Sequence, residues 1–251
     1  VAADEPLIRI RDLRKRLSEK EVLRGLDLDV FPGQTLAVLG RSGGGKSVLL
    51  KHIIGLMKPD AGTVFVEGED VTQLTERQLG AIRRKVSMLF QSAALFDSMT
   101  VAQNIAFPLR EGGLKDPALL KARVAAALEM VDLKGTESSL PDSLSGGMRK
   151  RVGLARAIVG EPKCILYDEP TTGLDPIVSD SINRLIRRLQ SRLRVTSIVV
   201  THDMRSAFHV ADQIAYLHEG RIYFKGTPDE LHRATDPVIR NFVEGRSDEI
   251  D

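Results

Sequence analysis

Thr35-Leu36-Ala37-Val38-Leu39-Gly40-Arg41-Ser42-Gly43-Gly44-Gly45-Lys46-Ser47 is the stretch that decides the fold. Its first five residues, Thr35–Leu39, form a short apolar run after the turn Pro32-Gly33 and read as a buried strand. Gly40 to Ser47 then fits the phosphate-binding pattern G-x-x-x-x-G-K-S/T. An apolar run over residues 48–54 follows and suits a helix. Strand, glycine-rich loop and helix in that order are the context the pattern requires. The residue types follow from the task. Triphosphate oxygens need many inward-pointing donors at close range. Gly40, Gly43, Gly44 and Gly45 let the backbone bend through Arg41 and Ser42 so that its N–H groups face the anion. The helix start adds a positive dipole end. Lys46 is placed to reach the β- and γ-phosphates, and the Ser47 hydroxyl to bind Mg²⁺. A plain glycine-rich turn would need neither the lysine, the serine nor the flanking pattern.

Such a loop cradles a nucleotide but does not activate water. Cys164-Ile165-Leu166-Tyr167-Asp168-Glu169, an apolar strand ending in two acids, has the groups for that step. Asp168 at the strand end can hold Mg²⁺ through its waters. Glu169 can orient and deprotonate the attacking water. A lone Asp-Glu after a strand is usually a turn; the upstream loop favours the metal-and-base reading.

The rest of the chain extends this frame. Residues 7–10 and 26–30 alternate like strands near the start, and further strand signals lie at 63–66 and 86–90. Residues 101–159 are mainly helical in pattern, including Pro117–Met130 with proline in its first turn. Strands resume at 164–167 and 197–200, separated by an amphipathic stretch at 181–193. Residues 213–217 and 222–224 read as a hairpin around Glu219-Gly220. The alternation implies an α/β fold: a mostly parallel sheet wrapped by helices, antiparallel strands at the start, and a helical insertion in the middle. Phe31 and Phe65 read as core. The expected organisation is one domain over 1–251. Residues 1–91 and 159–245 form its core, 92–158 its helical part, and 246–251 a frayed polar tail.

The bulk numbers fit a packed soluble fold. The chain has 251 residues, 42% hydrophobic and 28% charged. Its 36 basic and 34 acidic residues leave a net charge of +2, too little for a strong field toward nucleic acid or anionic lipid. The basic clusters Arg83-Arg84-Lys85 and Arg149-Lys150-Arg151 read as solvated helix faces. The one cysteine, Cys164, cannot form an internal disulfide, which points to a reducing compartment, and reads as a buried small hydrophobe. The five histidines show no metal-ligand spacing. No apolar run approaches the roughly 18 residues that cross a bilayer, and residues 1–10 carry no apolar signal core. Work at a membrane would therefore need a spanning partner.

Leu144-Ser145-Gly146-Gly147-Met148 resembles the signature of ABC ATPases, usually written LSGGQ. The other landmarks stand in that family's order: Gln91 as the Q-loop glutamine, Thr172-Gly173-Leu174-Asp175 as the D-loop, and His202 after a strand as the switch histidine. Each motif is weak alone; together, in order, they are specific and span nearly the whole chain. The resemblance implies a P-loop (RecA-like) core, ATP with Mg²⁺ as ligands, and hydrolysis of ATP. It places Gln91, Glu169 and His202 in catalysis and Ser47, Gln91 and Asp168 at the metal. It also implies that Ser145, Gly146, Gly147 and Asp175 meet nucleotide held by a second copy in a head-to-tail dimer. Helix-terminus anion binding is then supplied in trans. Ser145 also reads as the cap of the helix that follows.

Two further stretches, Met88-Leu89-Phe90-Gln91-Ser92-Ala93-Ala94-Leu95-Phe96 and Asn104-Ile105-Ala106-Phe107-Pro108-Leu109-Arg110-Glu111, resemble the ATPases of MCE (mammalian cell entry) lipid transporters. Met148 and the stretch Asp236-Pro237-Val238-Ile239-Arg240-Asn241-Phe242 resemble theirs too. That likeness implies an integral-membrane permease, an MCE-domain lipid-binding protein and a small STAS-type partner. It also implies a peripheral place on the cytoplasmic face of the inner membrane. One position departs from the family. Where most ABC ATPases stack adenine on an aromatic, this chain has Leu17. Other readings are another ABC importer, a non-transporting membrane signalling ATPase, or a soluble ABC ATPase acting on nucleic acid or in iron–sulfur assembly. Ala94-Leu95-Phe96 speaks against the last, offering apolar residues where transport ATPases grip a permease helix, unless Leu95 and Phe96 are simply core.

Overall fold

The first strand shows how local chemistry sets a boundary. In the computed structural model, which describes residues 5–246, β1 (Ile8–Leu17) pairs antiparallel with β2 (Lys20–Val30). Of the tail expected at 246–251, residues 247–251 lie outside the described residues, as do residues 1–4 of the opening stretch. Ile8 and Ile10 are buried while Arg9 and Arg11 are exposed. Asp12 then takes a φ of 45° and the register slips, which returns Leu13 to the buried face. That bulge hides the continuation of a strand whose alternation reads clearly only to Ile10. β4 (Ala61–Val66) pairs with the other edge of β1, and β5 (Glu69–Asp70) completes an antiparallel sheet of order β2-β1-β4-β5.

The second sheet carries the site. Its strands are β3 (Thr35–Leu39), β6 (Val86–Leu89), β7 (Cys164–Asp168), β8 (Thr196–Thr201), β9 (Gln213–His218) and β10 (Arg221–Gly226), in the order β10-β9-β3-β8-β7-β6. All neighbours pair parallel except β9 and β10, the hairpin around Glu219-Gly220. β3, β7 and β8 are buried along their whole lengths, as central parallel strands covered on both faces must be. Leu39 lies opposite Thr201, and Asp168 opposite Val200. The C-terminal ends of three strands distant in sequence thus share one edge, the usual ligand side of such sheets. This is the expected α/β architecture.

The helices are α1 (Lys46–Ile53), α2 (Glu76–Lys85), α3 (Val101–Glu111), α4 (Pro117–Met130), α5 (Gly146–Ile158), α6 (Pro176–Leu193), α7 (Met204–Val210), α8 (Pro228–Arg233) and α9 (Pro237–Val243). Side chains cap most of their starts: Thr100 on α3, Asp116 on α4, Ser145 on α5, Asp175 on α6. α3, α4 and α5 do not pack apart from the sheet. Ile105, Leu128 and Val152 join Tyr167 and Ile186 in one apolar cluster on one sheet face. β1, β2 and α1 cover the other face with Leu26, Leu50 and Ile53. Cys164 is fully buried, and burial pushes its thiol pKa up. No helix among the described residues is long and apolar enough to cross a membrane.

Some expectations need correction. Phe31 and Phe65 are half-buried, not core, and Lys225 Nζ sits 5.8 Å from the Phe31 ring centroid. The two basic clusters are solvated only in part: Arg84 and Arg149 are exposed, but their neighbours are not. Arg83 pairs with Glu76 at 2.8 Å and donates to the Ile54 carbonyl, and Lys85 pairs with Glu67 at 3.0 Å. Lys150 is only 5% exposed. A lysine inside a basic run is assigned to solvent on composition alone; here the turn of α5 aims it inward.

Candidate functional site

Gly45 is the N-cap of α1, at a φ of 102° that L side chains rarely adopt, and a Cβ there would lie 2.9 Å from Val22 Cγ1. No side chain caps this helix start. Its first backbone N–H groups are left for a ligand, the arrangement that binds phosphate. Gly40, at the end of β3, is equally constrained, since a Cβ would sit 2.7 Å from the Leu217 carbonyl oxygen. The glycines therefore serve close backbone packing as well as the turn.

Lys46 folds back across this loop. Its Nζ donates to the carbonyls of Gly40 at 2.8 Å and Arg41 at 3.1 Å, and lies 3.5 Å from Glu169 Oε1. Burial lowers its pKa, and the nearby Glu169 partly offsets that. The Ser47 hydroxyl donates to Asp168 Oδ1 at 2.7 Å, across 121 positions of sequence. Asp168 and Glu169 are both buried. Glu169 has a φ of 47°, a left-handed backbone that turns it away from the strand path of Asp168. Its Oε2 accepts from Thr172 Oγ1 at 3.2 Å and lies 2.9 Å from His202 Nδ1.

Lys46, Ser47, Glu169, Thr172 and His202 face one cleft of about 490 Å³, which Leu17, Val22, Ser42, Gly43, Gly45, Val48 and Gln91 also line. Eight of the residues expected at the site line it: Ser42, Gly43, Gly45, Lys46, Ser47, Gln91, Glu169 and His202. Gly40, Arg41 and Asp168 touch that lining through Lys46 and Ser47. Gly44, Ser145, Gly146, Gly147 and Asp175 do not line it. Ser145 caps α5 by accepting from the Met148 N–H at 3.3 Å, and Asp175 caps α6 through the Ile177 and Val178 N–H groups. A Cβ on Gly146 would lie 3.3 Å from Leu174 and one on Gly147 2.7 Å from Val178, so the signature start packs beside the Asp175 segment. Leu17, at the end of β1, is 38% exposed on the cleft wall.

The oxygens at the cleft fit magnesium. Among the described residues no group of three or more His, Cys, Asp and Glu is placed to hold a metal ion. Ser47 Oγ beside Asp168 Oδ1 is a hard-oxygen pair suited to an ion that takes its other ligands from water and phosphate. Sequence reading missed two contributors. Thr172 touches the Glu169 carboxylate, though its motif was legible; Lys150, hidden in a basic run, gave no signal.

Comparison with protein families matches residues 23–172 to the family described as ABC transporter. The intermembrane phospholipid transport system ATP-binding protein MlaF of Haemophilus influenzae is 38% identical over 245 residues, 98% of this chain and 93% of that protein. The sulfate/thiosulfate import ATP-binding protein CysA of Caulobacter vibrioides is 43% identical over 235 residues, 92% of this chain and 68% of that one. Among solved structures, the dimeric post-hydrolysis state of the ATP-binding cassette MJ0796, bound to ADP and Pi, superposes with a TM-score of 0.81 at 30% identity. It covers 88% of this chain and 98% of its own.

Proposed function

The chain belongs to the ABC transporter family, and on that premise we propose that it powers a phospholipid transporter of the MCE type. It is an ATPase that uses ATP with Mg²⁺. The observation that carries the catalytic assignment is the convergence of Lys46, the Ser47–Asp168 pair and the Glu169–His202 pair on one cleft. The uncapped start of α1 and Lys46 hold the β- and γ-phosphates. Ser47, Asp168 through water, and Gln91 would hold the ion, which when bound would neutralise charge on the phosphates. Glu169 takes a proton from the water that attacks the γ-phosphorus. The bond to the bridging oxygen breaks, and ADP and phosphate leave. His202 and Thr172 hold the Glu169 carboxylate in orientation.

Ser145, Gly146, Gly147 and Asp175 act in trans. Their place away from the cleft supports a head-to-tail pair of copies in which each signature helix start closes over the partner's nucleotide. In this reading residues 92–158 are the helical part of one ATPase domain that docks on an integral-membrane permease. The subunit lies on the cytoplasmic face of the inner membrane. An MCE-domain lipid-binding protein and a small STAS-type protein complete the assembly.

The phospholipid assignment rests on the stretches around Gln91 and Asn104 and on the MlaF relative. The 43% identity to a sulfate importer supports a second reading, an import ATPase for a small solute. Purifying the tagged chain from native membranes separates them. Co-purification of an MCE-domain protein supports the first; an import permease with a solute-binding protein would replace it with the second.

Phe96 is the proposed anchor for the permease. It is 41% exposed and packs on Phe107 of α3 with ring centroids 4.8 Å apart. A groove of about 780 Å³ lies between α3 and α4, lined by Ala102, Ala106, Leu120 and Val124 among others, but not by Ala94, Leu95 or Phe96. Phe96→Ala is expected to leave the melting temperature of the isolated subunit within about 2 °C, as for a surface change. Loss of an aromatic anchor weakens association by about 2 kcal/mol, roughly thirty-fold. Pull-down with the permease reads this. An unchanged pull-down would move the docking site to the α3–α4 groove.

Leu17 and Val22 offer the base an aliphatic wall instead of a ring. Aromatic stacking contributes about 1–3 kcal/mol per base, and an aliphatic contact less. ATP and GTP are therefore expected to bind within about tenfold of each other. Leu17→Tyr should tighten ATP binding. Titration of both nucleotides checks this; a strong ATP preference in the parent protein would place the adenine contact on another residue.

A further inference from the structure

Lys150 is buried in the first turns of α5, and both of its acceptors are backbone carbonyls rather than carboxylates. Its Nζ donates to the carbonyl of Gln91 and, at 3.3 Å, to that of Glu169. An ammonium brought out of water to serve two peptide oxygens is costly unless those oxygens need to be held. They belong to two segments that backbone preference alone does not fix. Glu169 is a non-glycine residue at a φ of 47°, and Gln91 leads into Ala93 and Ala94, at φ 63° and 45°. Such conformations persist only where the surroundings enforce them.

The same face of α5 grips the second segment along its length. Three residues on, Gly153 lies against it, where a Cβ would be 2.6 Å from Leu89 Cδ1 and 3.2 Å from Ala93 Cβ. Three residues further, Arg156 donates to the carbonyls of Ala93 at 2.6 Å and Ala94 at 2.8 Å. The segment 91–94 is thus bolted to the helix that opens at Ser145. Of Lys150, Gly153 and Arg156, it is Lys150 that also bonds the carbonyl just past the end of β7.

We infer that Lys150 is a positioning residue: it ties the start of the signature helix and the Gln91 segment to the backbone of Glu169, and so sets where that carboxylate stands over the cleft. Movement of α5 on docking of a second copy is then transmitted to Glu169 through one side chain. The inference rests on Glu169 being the base.

Lys150→Met keeps the volume and apolar stem but removes the donor, and Lys150→Gln restores a donor at shorter reach. With Lys150→Met, kcat is expected to fall about 10- to 100-fold, since a misplacement of about 1 Å in a reacting group costs on that order. KM and mant-ATP affinity should stay within about twofold, the pattern of a contact that matters only in the transition state. Lys150→Gln should recover most of the rate. Parental kcat in Lys150→Met would overturn the inference. So would a fall in kcat matched by lost mant-ATP binding or melting temperature that Lys150→Gln does not relieve. Glu169→Gln assayed alongside keeps the two readings apart. Normal turnover there removes the base assignment, whereas an inactive Glu169→Gln with a fully active Lys150→Met removes only the role of Lys150.

Discussion

Lys46→Ala is expected to lose ATP turnover by at least about 10³-fold, the upper end of what one preorganised donor contributes to a charged transition state. Two arguments combine. Lys46 is buried at the loop, in contact with the Gly40 and Arg41 carbonyls and 3.5 Å from Glu169. In the proposed function this ammonium serves the β- and γ-oxygens, and among the described residues no other lysine or arginine lines the cleft. Its removal also leaves the buried carbonyl of Gly40 without this donor, a loss of about 1–3 kcal/mol. Triphosphate binding should weaken sharply for the same electrostatic reason. Lys46→Met separates the effects, because it keeps the packing of the stem. Phosphate release and equilibrium nucleotide binding are the measurements. Near-normal turnover in either variant would sink the assignment of the phosphate site.

Glu169→Gln should bind ATP and hydrolyse it about 10²–10⁴-fold more slowly, the usual contribution of a general base. The amide is isosteric with the carboxylate, so the 2.9 Å contact to His202 and the 3.2 Å contact from Thr172 can be kept. What is lost is the ability to accept a proton from water. On the proposed placement of the nucleotide, neutralising the carboxylate also removes a negative charge facing the γ-phosphate, which favours the bound triphosphate. The variant is therefore expected to accumulate as an ATP-bound dimer, seen as an earlier peak in size-exclusion with ATP and Mg²⁺. A variant that stays monomeric with ATP contradicts the trans arrangement of Ser145, Gly146 and Gly147. One that turns over at the parental rate contradicts the base.

Much of the fold could be read along the chain because its signals are local. The β3 run, the loop 40–47 and α4 with Asp116 and Pro117 at its start are each written within a few adjacent residues. Some local signals went unread. The Thr75–Gln78 box before α2 and the Thr227–Glu230 box before α8 are short patterns without an apolar run to draw attention to them. The strand ends around Asp12 failed for another reason: a bulge breaks the period of two on which strand reading depends.

The chemistry of the site divides along the same line. Glycine, lysine and serine at fixed spacing state a phosphate loop in eight residues, because backbone geometry around an anion is a short-range property. Order along the chain was enough to mark Asp168, Glu169 and His202 as candidates. That Ser47 meets Asp168, and Glu169 meets His202, depends on β3, β8 and β7 lying side by side in parallel with their C-terminal ends in register. Strand order is a property of the whole packing and leaves no mark on any one segment. Lys150 is the extreme case. Between Arg149 and Arg151 its residue type says surface, and only the docking of α5 against the ends of β6 and β7 turns it inward onto the carbonyls of Gln91 and Glu169. Burial of a charge is decided by what stands around it, and that is settled only when distant segments meet.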